Sequence, residues 1–454
     1  MLSPLPPPLH LSSLRVAVIG GAGAAGLSAS RELRREGHKV VAYEHGERVG
    51  GTWVYTDEVE SDPVGVEPRR NVVHSSIYRS LRTNLPREVM GFRDYPFVAS
   101  GRPGRDARRF PGHEEVLRYL EDFARDFKLY ELVRFQSEVL LVRLDEDGMW
   151  TVRSRTNAAD GETVMDEKYD AVVVCNGHYT EPRLAEIPGI KEWPGSEIHS
   201  HNYRVPEPYR DQIVVIIGSS ASAVDISRDI ASVANEVHIA ARSTQESSHG
   251  ILPGHGNMWL HPMISSTRRD GTVVFRDGTS VKADVIMYCT GYKYHFPFLK
   301  ANVVVTVDDN RVGPLYEHVF PPVLAPWLSF VGLPWKVIPF PLIELQSKWI
   351  AGALSGRIAL PSQESMIKSV EALYSTLEAA RVPKRYTHNL GGCQFEYYDR
   401  LAAECTCAPS EEWRKVMYSS TSMNRKVRPD AYRDEWEDDH MVLKAQEDFA
   451  KYLS

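Results

Sequence analysis

The sequence lacks an uninterrupted apolar run of the length a bilayer helix requires. Its longest uncharged apolar stretch, Val319 to Trp335, is broken by Pro321, Pro322, Pro326 and Pro334, whereas a spanning helix needs about 20 suitable residues. No membrane anchor is expected. Positive charge is not in excess either: 53 Lys and Arg stand against 60 Asp and Glu, a formal net charge of -7. No broad basic field awaits nucleic-acid phosphates, and a nucleic-acid partner is not expected. Cysteine is sparse, with Cys175, Cys289, Cys393, Cys405 and Cys407 forming an odd set that contains no CxxC pair. A chain this long can build cores without crosslinks, so the pattern suits a reducing, cytoplasmic compartment. The N-terminal stretch MLSPLPPPLHLSS lacks the basic region and continuous apolar core of a signal peptide. It reads as a proline-rich lead-in, with folding expected to begin near Leu14. No internal repeat of solenoid period appears.

What is present fits two to four domains, since 454 residues are divided at roughly 100 to 200 residues per domain. Hydrophobic residues at 43% and charged residues at 25% are ordinary for a globular protein. The first fifty residues read as one βαβ unit. Arg15 to Ile19 (RVAVI) is a β-branched run, Ala24 to Glu36 carries helix formers and stops at Gly37, and Lys39 to Glu44 (KVVAYE) is a second strand. The crossover requires parallel pairing. Val116, Tyr119, Leu120, Phe123, Ala124 and Phe127 recur at helical spacing, which predicts an amphipathic helix from about His113 to Lys128.

Tyr169 to Cys175 (YDAVVVC) is another buried strand. A second nucleotide-type unit follows: Ile213 to Ile217 (IVVII), the turn GSSASA, a helix to about Ser232, and the strand Glu236 to Ala241. A further apolar strand, Ala283 to Cys289, enters Thr290 and Gly291. The span from about Val205 to Gly291 thus reads as a compact domain inserted into a larger one. From Gln363 onward the pattern is helical, and the acidic segment Asp434 to His440 is expected to be solvated.

The run GGAGAAG holds a GxGxxG at Gly21, Gly23 and Gly26, directly after a strand and opening a helix. The first glycine permits a tight turn, the second lets the backbone approach a pyrophosphate, and the third lets helix and strand pack closely. The helix N-terminus then meets the negative charge. Ala22, Ala24 and Ala25 complete the loop, and Glu44 sits where a ribose hydroxyl would need a carboxylate acceptor. The second turn, Gly218, Ser219, Ser220, Ala221, Ser222 and Ala223, is looser and equally suits an ordinary packed turn. After its strand stand Arg242 and Ser243 in place of an acid. A cation and a hydroxyl can receive a 2′-phosphate, so NADPH is preferred to NADH; a plain surface arginine is the competing reading. Two such sites imply electrons passing from NADPH to a tightly held flavin. Cys405 and Cys407, spaced CxC and far along the chain from either turn, do not supply the redox pair of a disulfide reductase. Molecular oxygen remains as the acceptor.

Several segments resemble the flavin-containing monooxygenases. EHGERVGGTW, ending in Gly50, Gly51 and Trp53, resembles the family's second flavin-contacting motif. Trp193 to Tyr203 (WPGSEIHSHNY) resembles its FxGxxxHxxxY pattern, with Gly195, His199 and Tyr203 in place and Trp193 standing for Phe. SLRTNLPREVMGF, from Ser80 to Phe92, is similar to the segment that presents the family's active-site asparagine, here Asn84 following Thr83. CTGY, from Cys289 to Tyr292, resembles the motif that links the two domains. The detail of ESDP, VHSSIYRSLRTNLPRE, IHSHNYRVP and YRDEW most resembles the plant S-oxygenating branch. One departure stands out, because Gly20 is an additional residue between strand and Gly21. The strand must end early or the turn must bulge, which glycine allows at positive φ.

The resemblance implies an α/β fold of two Rossmann-like dinucleotide-binding domains, the NADPH domain inserted into the FAD domain. Its expected boundaries are 14–204 and 292–454 for FAD, the latter including a C-terminal helical region, and 205–291 for NADPH. The implied cycle uses NADPH to reduce the flavin and O2 to form a C4a-hydroperoxide, whose distal oxygen passes to the sulfur of a small thioether. Asn84 is the expected side chain that holds the intermediate or retained NADP; turn formation before Leu85 and Pro86 is its bland alternative. An N-hydroxylating or Baeyer–Villiger enzyme, or a poorly coupled NADPH oxidase or non-catalytic flavoprotein, are the other readings. No metal is expected: His178, His199 and His201 lack partners at ligand spacing and read as polar linkers between domains. Arg102, Arg105, Arg108 and Arg109 read as a solvated loop, or as a site for steering anions.

Overall fold

The computed structural model describes residues 13–158, 161–242, 249–300 and 304–453. The chain forms two compact units, one of residues 1–53, 83–177 and 294–454, the other of 54–82 and 178–293. This division begins the inserted unit at His178 instead of 205 and gives it an earlier excursion, 54–82, that hydropathy along the chain does not signal.

In the first unit five strands form a sheet in the order Leu328–Phe330, Ala171–Val174, Arg15–Ile19, Lys39–Tyr43, Val133–Arg134, with every pairing parallel. Successive strand residues face opposite sides. Val16 and Val18 therefore enter one core with the helices Ala24–Arg35, His113–Asp126 and Pro339–Leu354. Ala17 and Ile19 enter another, with Trp150, Val142 and Val152 of the antiparallel sheet Ser137–Leu144, Trp150–Ala158, Gly161–Tyr169. Burial on both faces is why RVAVI is apolar throughout and does not alternate.

The second unit repeats the plan. Its sheet runs Gly250–Ile251, Met258–Pro262, Glu236–Ala241, Ile213–Ile217, Val285–Tyr288, Ser196–His199, parallel except at the Gly250 edge. Val214 and Ile216 pack with Ala223, Ile226 and Ile230 of the helix Ala221–Ala231. Val215 and Ile217 pack with Ile264, Val273 and Phe275 of a three-stranded antiparallel sheet. Each unit is thus a parallel sheet with helix on one face and antiparallel sheet on the other.

Local signals explain where elements stop. The helix Ala24–Arg35 ends because Gly37 adopts φ +88°, and the amides of Gly37 and His38 return to the carbonyls of Arg34 and Leu33, the Schellman closure. The helix expected to reach Lys128 stops at Asp126 because Lys128 is left-handed at φ +52°. The helix Pro339–Leu354 was not anticipated: fourteen of its sixteen residues are buried, so it has no polar face for a period search to detect. The stretch Val319–Trp335 contributes an edge strand and turns, and no helix among the described residues is long and apolar enough to cross a membrane.

Candidate functional site

The additional glycine is taken up as a bulge. Gly20 turns at φ +83°, and the amides of Gly20 and Gly21 both donate to the Tyr43 carbonyl, at 3.0 and 2.8 Å. Two residues thus oppose one, and the strand keeps its length to Ile19. A Cβ on Gly20 would stand 2.6 Å from the Cys175 carbonyl oxygen, one on Gly21 2.6 Å from the Ala42 Cβ, and one on Gly26 2.3 Å from the Gly20 oxygen. Gly23 differs, since its nearest such neighbour is the Gly51 Cα at 3.7 Å. The flanking glycines serve close packing, and the middle one leaves room for a ligand.

Gly23 caps the helix Ala24–Arg35 without a side-chain hydrogen bond and with no acid in the first turn. The first amides of a helix have no partner within it, so those of Ala24, Ala25 and Gly26 are available to an anion. The Glu44 carboxylate accepts the amides of Ala22 at 3.0 Å and Gly46 at 2.9 Å, which ties the acid to the centre of the turn. A carboxylate has about four lone-pair sites, so capacity for ribose hydroxyls remains. Gly50 donates its amide to the Ala22 carbonyl at 2.9 Å, Gly51 turns at φ +55°, and Trp53 packs against the helix-side core. Open helix amides, an acid and a close-lying second glycine loop fit the diphosphate and ribose of FAD.

In the second turn Gly218 adopts φ +129° and donates to the Ala240 carbonyl at 2.9 Å. A Cβ there would meet the Cys289 oxygen at 2.6 Å. Ser219, Ser220, Ala221 and Ser222 are exposed while Ala223 is buried. Ser220 caps the helix without a side-chain bond and the first turn holds no acid, so these amides too can take a phosphate. Arg242 is exposed immediately beyond the strand end Ala241; Ser243 lies outside the described residues. Thr290 donates its hydroxyl to the Arg183 carbonyl, and the Gly291 carbonyl accepts the Arg183 amide at 3.0 Å and His199 Nε2 at 3.1 Å. These two residues are therefore engaged beside the short ribbon Glu181–Pro182 with Tyr292–Lys293.

Asn84 stands between a pinned residue and a helix. Thr83 is buried; its amide donates to the Pro111 carbonyl at 2.9 Å and its hydroxyl to the Leu85 carbonyl at 2.8 Å. The helix Arg87–Met90 follows. The half-buried Asn84 amide makes no hydrogen bond among the described residues, so both its donors and its acceptor are free to serve a ligand.

The surrounding loop corrects one expectation. Arg105 pairs with Glu115 at 2.9 Å and Asp122 at 2.7 Å, and the buried Arg109 reaches Asp438 at 2.5 Å. Arg102 and Arg108 are exposed. Arg108 pairs with Asp106 at 2.7 Å, so three of the four arginines are neutralised by carboxylates, which removes the cluster as an anion-steering field, and Asp438 is buried where the acidic segment was expected to be solvated. Of the partners, Glu115 and Asp122 lie on the helix His113–Asp126 and Asp438 far along the chain, so no local pattern signals these pairings.

The histidine motif is internal to the second unit. His199 and His201 are fully buried. His199 Nδ1 accepts the His201 amide at 3.0 Å, so its Nε2 carries the hydrogen donated to Gly291. His201 Nε2 lies 3.2 Å from Glu60, whose other oxygen accepts Arg70 at 2.7 Å. Tyr203 donates to Asp229 at 2.6 Å. The Trp193 indole donates to the Gly271 carbonyl at 3.1 Å, and a Cβ on Gly195 would strike that ring at 2.2 Å. The pattern is a packing and hydrogen-bonding unit, and no group of three or more ligands able to hold a metal occurs among the described residues.

Two parallel sheets, each with a glycine turn opening into an uncapped helix, define an α/β protein of two Rossmann-like domains. The family model described as Flavin-binding monooxygenase-like matches residues 13–251 and 251–418. A flavin-containing monooxygenase of Arabidopsis thaliana, FMO GS-OX-like 4, is 60% identical over 445 residues, covering 97% of this chain and 98% of that protein. The structure of S-allyl-L-cysteine S-oxygenase from Allium sativum superposes with a TM-score of 0.95 at 62% identity, covering 98% of this chain and all of the other. Tmm from Pelagibacter shares the fold at a TM-score of 0.76 and 25% identity, covering 93% of each chain. The chain belongs to the flavin-binding monooxygenase-like family, and it is an FAD- and NADPH-dependent monooxygenase.

Proposed function

We propose that this monooxygenase S-oxygenates a small thioether, an S-alk(en)ylcysteine or a methylthioalkyl compound. Thioether, O2, NADPH and a proton give sulfoxide, water and NADP+, so one oxygen atom goes to sulfur and the other leaves as water. The observation that carries the reading is likeness along the whole chain to the S-allyl-L-cysteine S-oxygenase.

Bound FAD supplies electron storage and oxygen activation, chemistry that no side chain offers. The chain's share is binding, orientation and exclusion of water. On this reading the turn from Gly21 to Gly26 holds the FAD diphosphate on free helix amides, Glu44 holds its ribose, and Gly50, Gly51, Trp53 and Thr83 line the flavin. The turn from Gly218 to Ala223 holds the NADPH diphosphate, and Arg242 with Ser243 takes the 2′-phosphate. Thr290 and Gly291 support that second site through the backbone. Asn84 offers its amide to the oxygenating centre. No side-chain nucleophile is needed, because the substrate sulfur brings the electron pair. A cytoplasmic location belongs to the same reading, supported by five unpaired cysteines.

The test is NADPH consumption by the FAD-loaded enzyme with S-allylcysteine, a methylthioalkyl compound, an amine and a cyclic ketone, with products identified by mass. Sulfoxide from the thioethers is expected. N-oxide or lactone as the main product, or hydrogen peroxide alone, overturns the proposal.

A further inference from the structure

Arg433 lies 350 positions beyond Thr83, and its Nε donates to the Thr83 carbonyl at 2.9 Å. That carbonyl belongs to the peptide plane joining Thr83 to Asn84. A peptide unit is rigid and planar, so holding its oxygen restrains the direction of the Asn84 N–Cα bond, the axis from which its side chain is set. The remaining polar groups of Thr83 are already committed to Pro111 and Leu85. With the Arg433 bond, the amide, hydroxyl and carbonyl of Thr83 are all held.

Arg433 is itself placed by the segment around it. Its guanidinium lies over the Tyr432 ring at 4.8 Å, and buried Tyr432 meets Phe110 edge-on at 5.7 Å. Phe110 precedes Pro111, which takes the Thr83 amide. Three residues beyond Arg433, Trp436 covers the Arg109 guanidinium at 5.0 Å, while Arg109 is bound to Asp438 and lies 3.5 Å from Glu88 in the helix after Asn84. The strap 432–438 thus holds the residues on both sides of Asn84. Yet Arg433 is only half-buried, on a segment without helix or strand.

We propose that Arg433 is a positioning residue that acts through Asn84, setting the angle of its amide for oxygen transfer. The inference rests on the role given to Asn84 above. Misplacement of a reacting partner by about 1 Å can cost on the order of a hundredfold.

The experiment is a cycle of Arg433→Ala, Arg433→Lys, Asn84→Ala and the double variant Arg433→Ala with Asn84→Ala, each as the FAD-loaded holoenzyme. Sulfoxide formed, hydrogen peroxide released per NADPH, the KM for NADPH and thermal unfolding are measured. Arg433→Ala is expected to lower kcat for sulfoxide by about tenfold or more and to raise peroxide release, with the KM for NADPH within about twofold because the nucleotide contacts are untouched. Arg433→Lys, which keeps a charged donor, is expected to restore part of the coupling. In the Asn84→Ala background the Arg433 change is expected to add nothing. Independent, additive losses overturn the proposal, as does a loss that tracks unfolding temperature alone. Should Asn84→Ala itself leave sulfoxide yield intact, the reading of Asn84 is what fails, whatever Arg433 does.

Discussion

Gly51 and Gly23 meet backbone to backbone, so closely that a Cβ on Gly51 would come 2.8 Å from the Gly23 Cα. Gly51 also turns at φ +55°, where a side chain costs about 1–3 kcal/mol. Gly51→Ala must therefore either shift the Gly21–Gly26 turn, the proposed seat of the diphosphate, or hold it under strain. We expect FAD affinity to fall by about tenfold or more. Flavin retained after gel filtration at the level of the unaltered enzyme would exclude this.

In the proposed role the Arg242 cation receives the 2′-phosphate that distinguishes NADPH from NADH. A charged hydrogen bond contributes about 1.5–3 kcal/mol, so Arg242→Ala should raise the KM for NADPH by roughly ten- to a hundredfold and leave that for NADH nearly unchanged. Steady-state kinetics with both nucleotides measures the difference. Equal losses would take Arg242 out of this role.

Asn84→Asp keeps the shape of the side chain and replaces its two amide donors with acceptors. The expected outcome is a lower sulfoxide yield per NADPH, by about tenfold, with the balance appearing as hydrogen peroxide and with FAD still bound. Undiminished coupling would show that the donors are not used.

Burial, and secondarily His201, depress the His199 pKa to about 3, against the opposing pull of the Gly291 carbonyl and Glu60. The unfolded ring takes its proton near pH 6.5. Between about pH 6.5 and 3 the unfolded chain therefore binds more protons, and stability falls as acid is added. The contribution is complete above pH 6.5 and is lost toward pH 3. Protonation at Nδ1 would also break the bond from the His201 amide. From pH 7 to 5 the loss is about 2 kcal/mol, read from urea midpoints. His199→Gln removes the titration, so its curve should be flatter across that window; an equally steep one would assign the acid sensitivity to other groups.

Trp193→Phe installs the phenylalanine of the family pattern but deletes the indole donor to Gly271. The cost expected is about 1 kcal/mol in urea unfolding, with kcat and KM unaltered because the ring lies in the core of the second unit. A kinetic defect without a stability change would contradict the packing role.

Much of both glycine turns was legible because each requirement is local. Gly21 cannot carry a Cβ beside Ala42, nor Gly26 beside Gly20, and such steric demands leave glycine at fixed spacing between a buried strand and a helix. Strand ends at Ile19, Ile217 and Ala241 were equally readable. The helix Pro339–Leu354 was hidden for the converse reason, since burial on every side erases amphipathic periodicity.

The chain by itself determined the two nucleotide-type turns, the apolar strands behind them and the likeness to its family, because backbone sterics and hydrophobic period act over a few residues. Only tertiary structure decided that Gly20 bulges against Tyr43, that Arg109 is buried on Asp438, and that Arg433 holds the carbonyl before Asn84. These are pairings across 23 to 350 positions. A hydrogen bond or ion pair of that kind depends on distance and angle in space, and neither partner's immediate sequence records where the other will be.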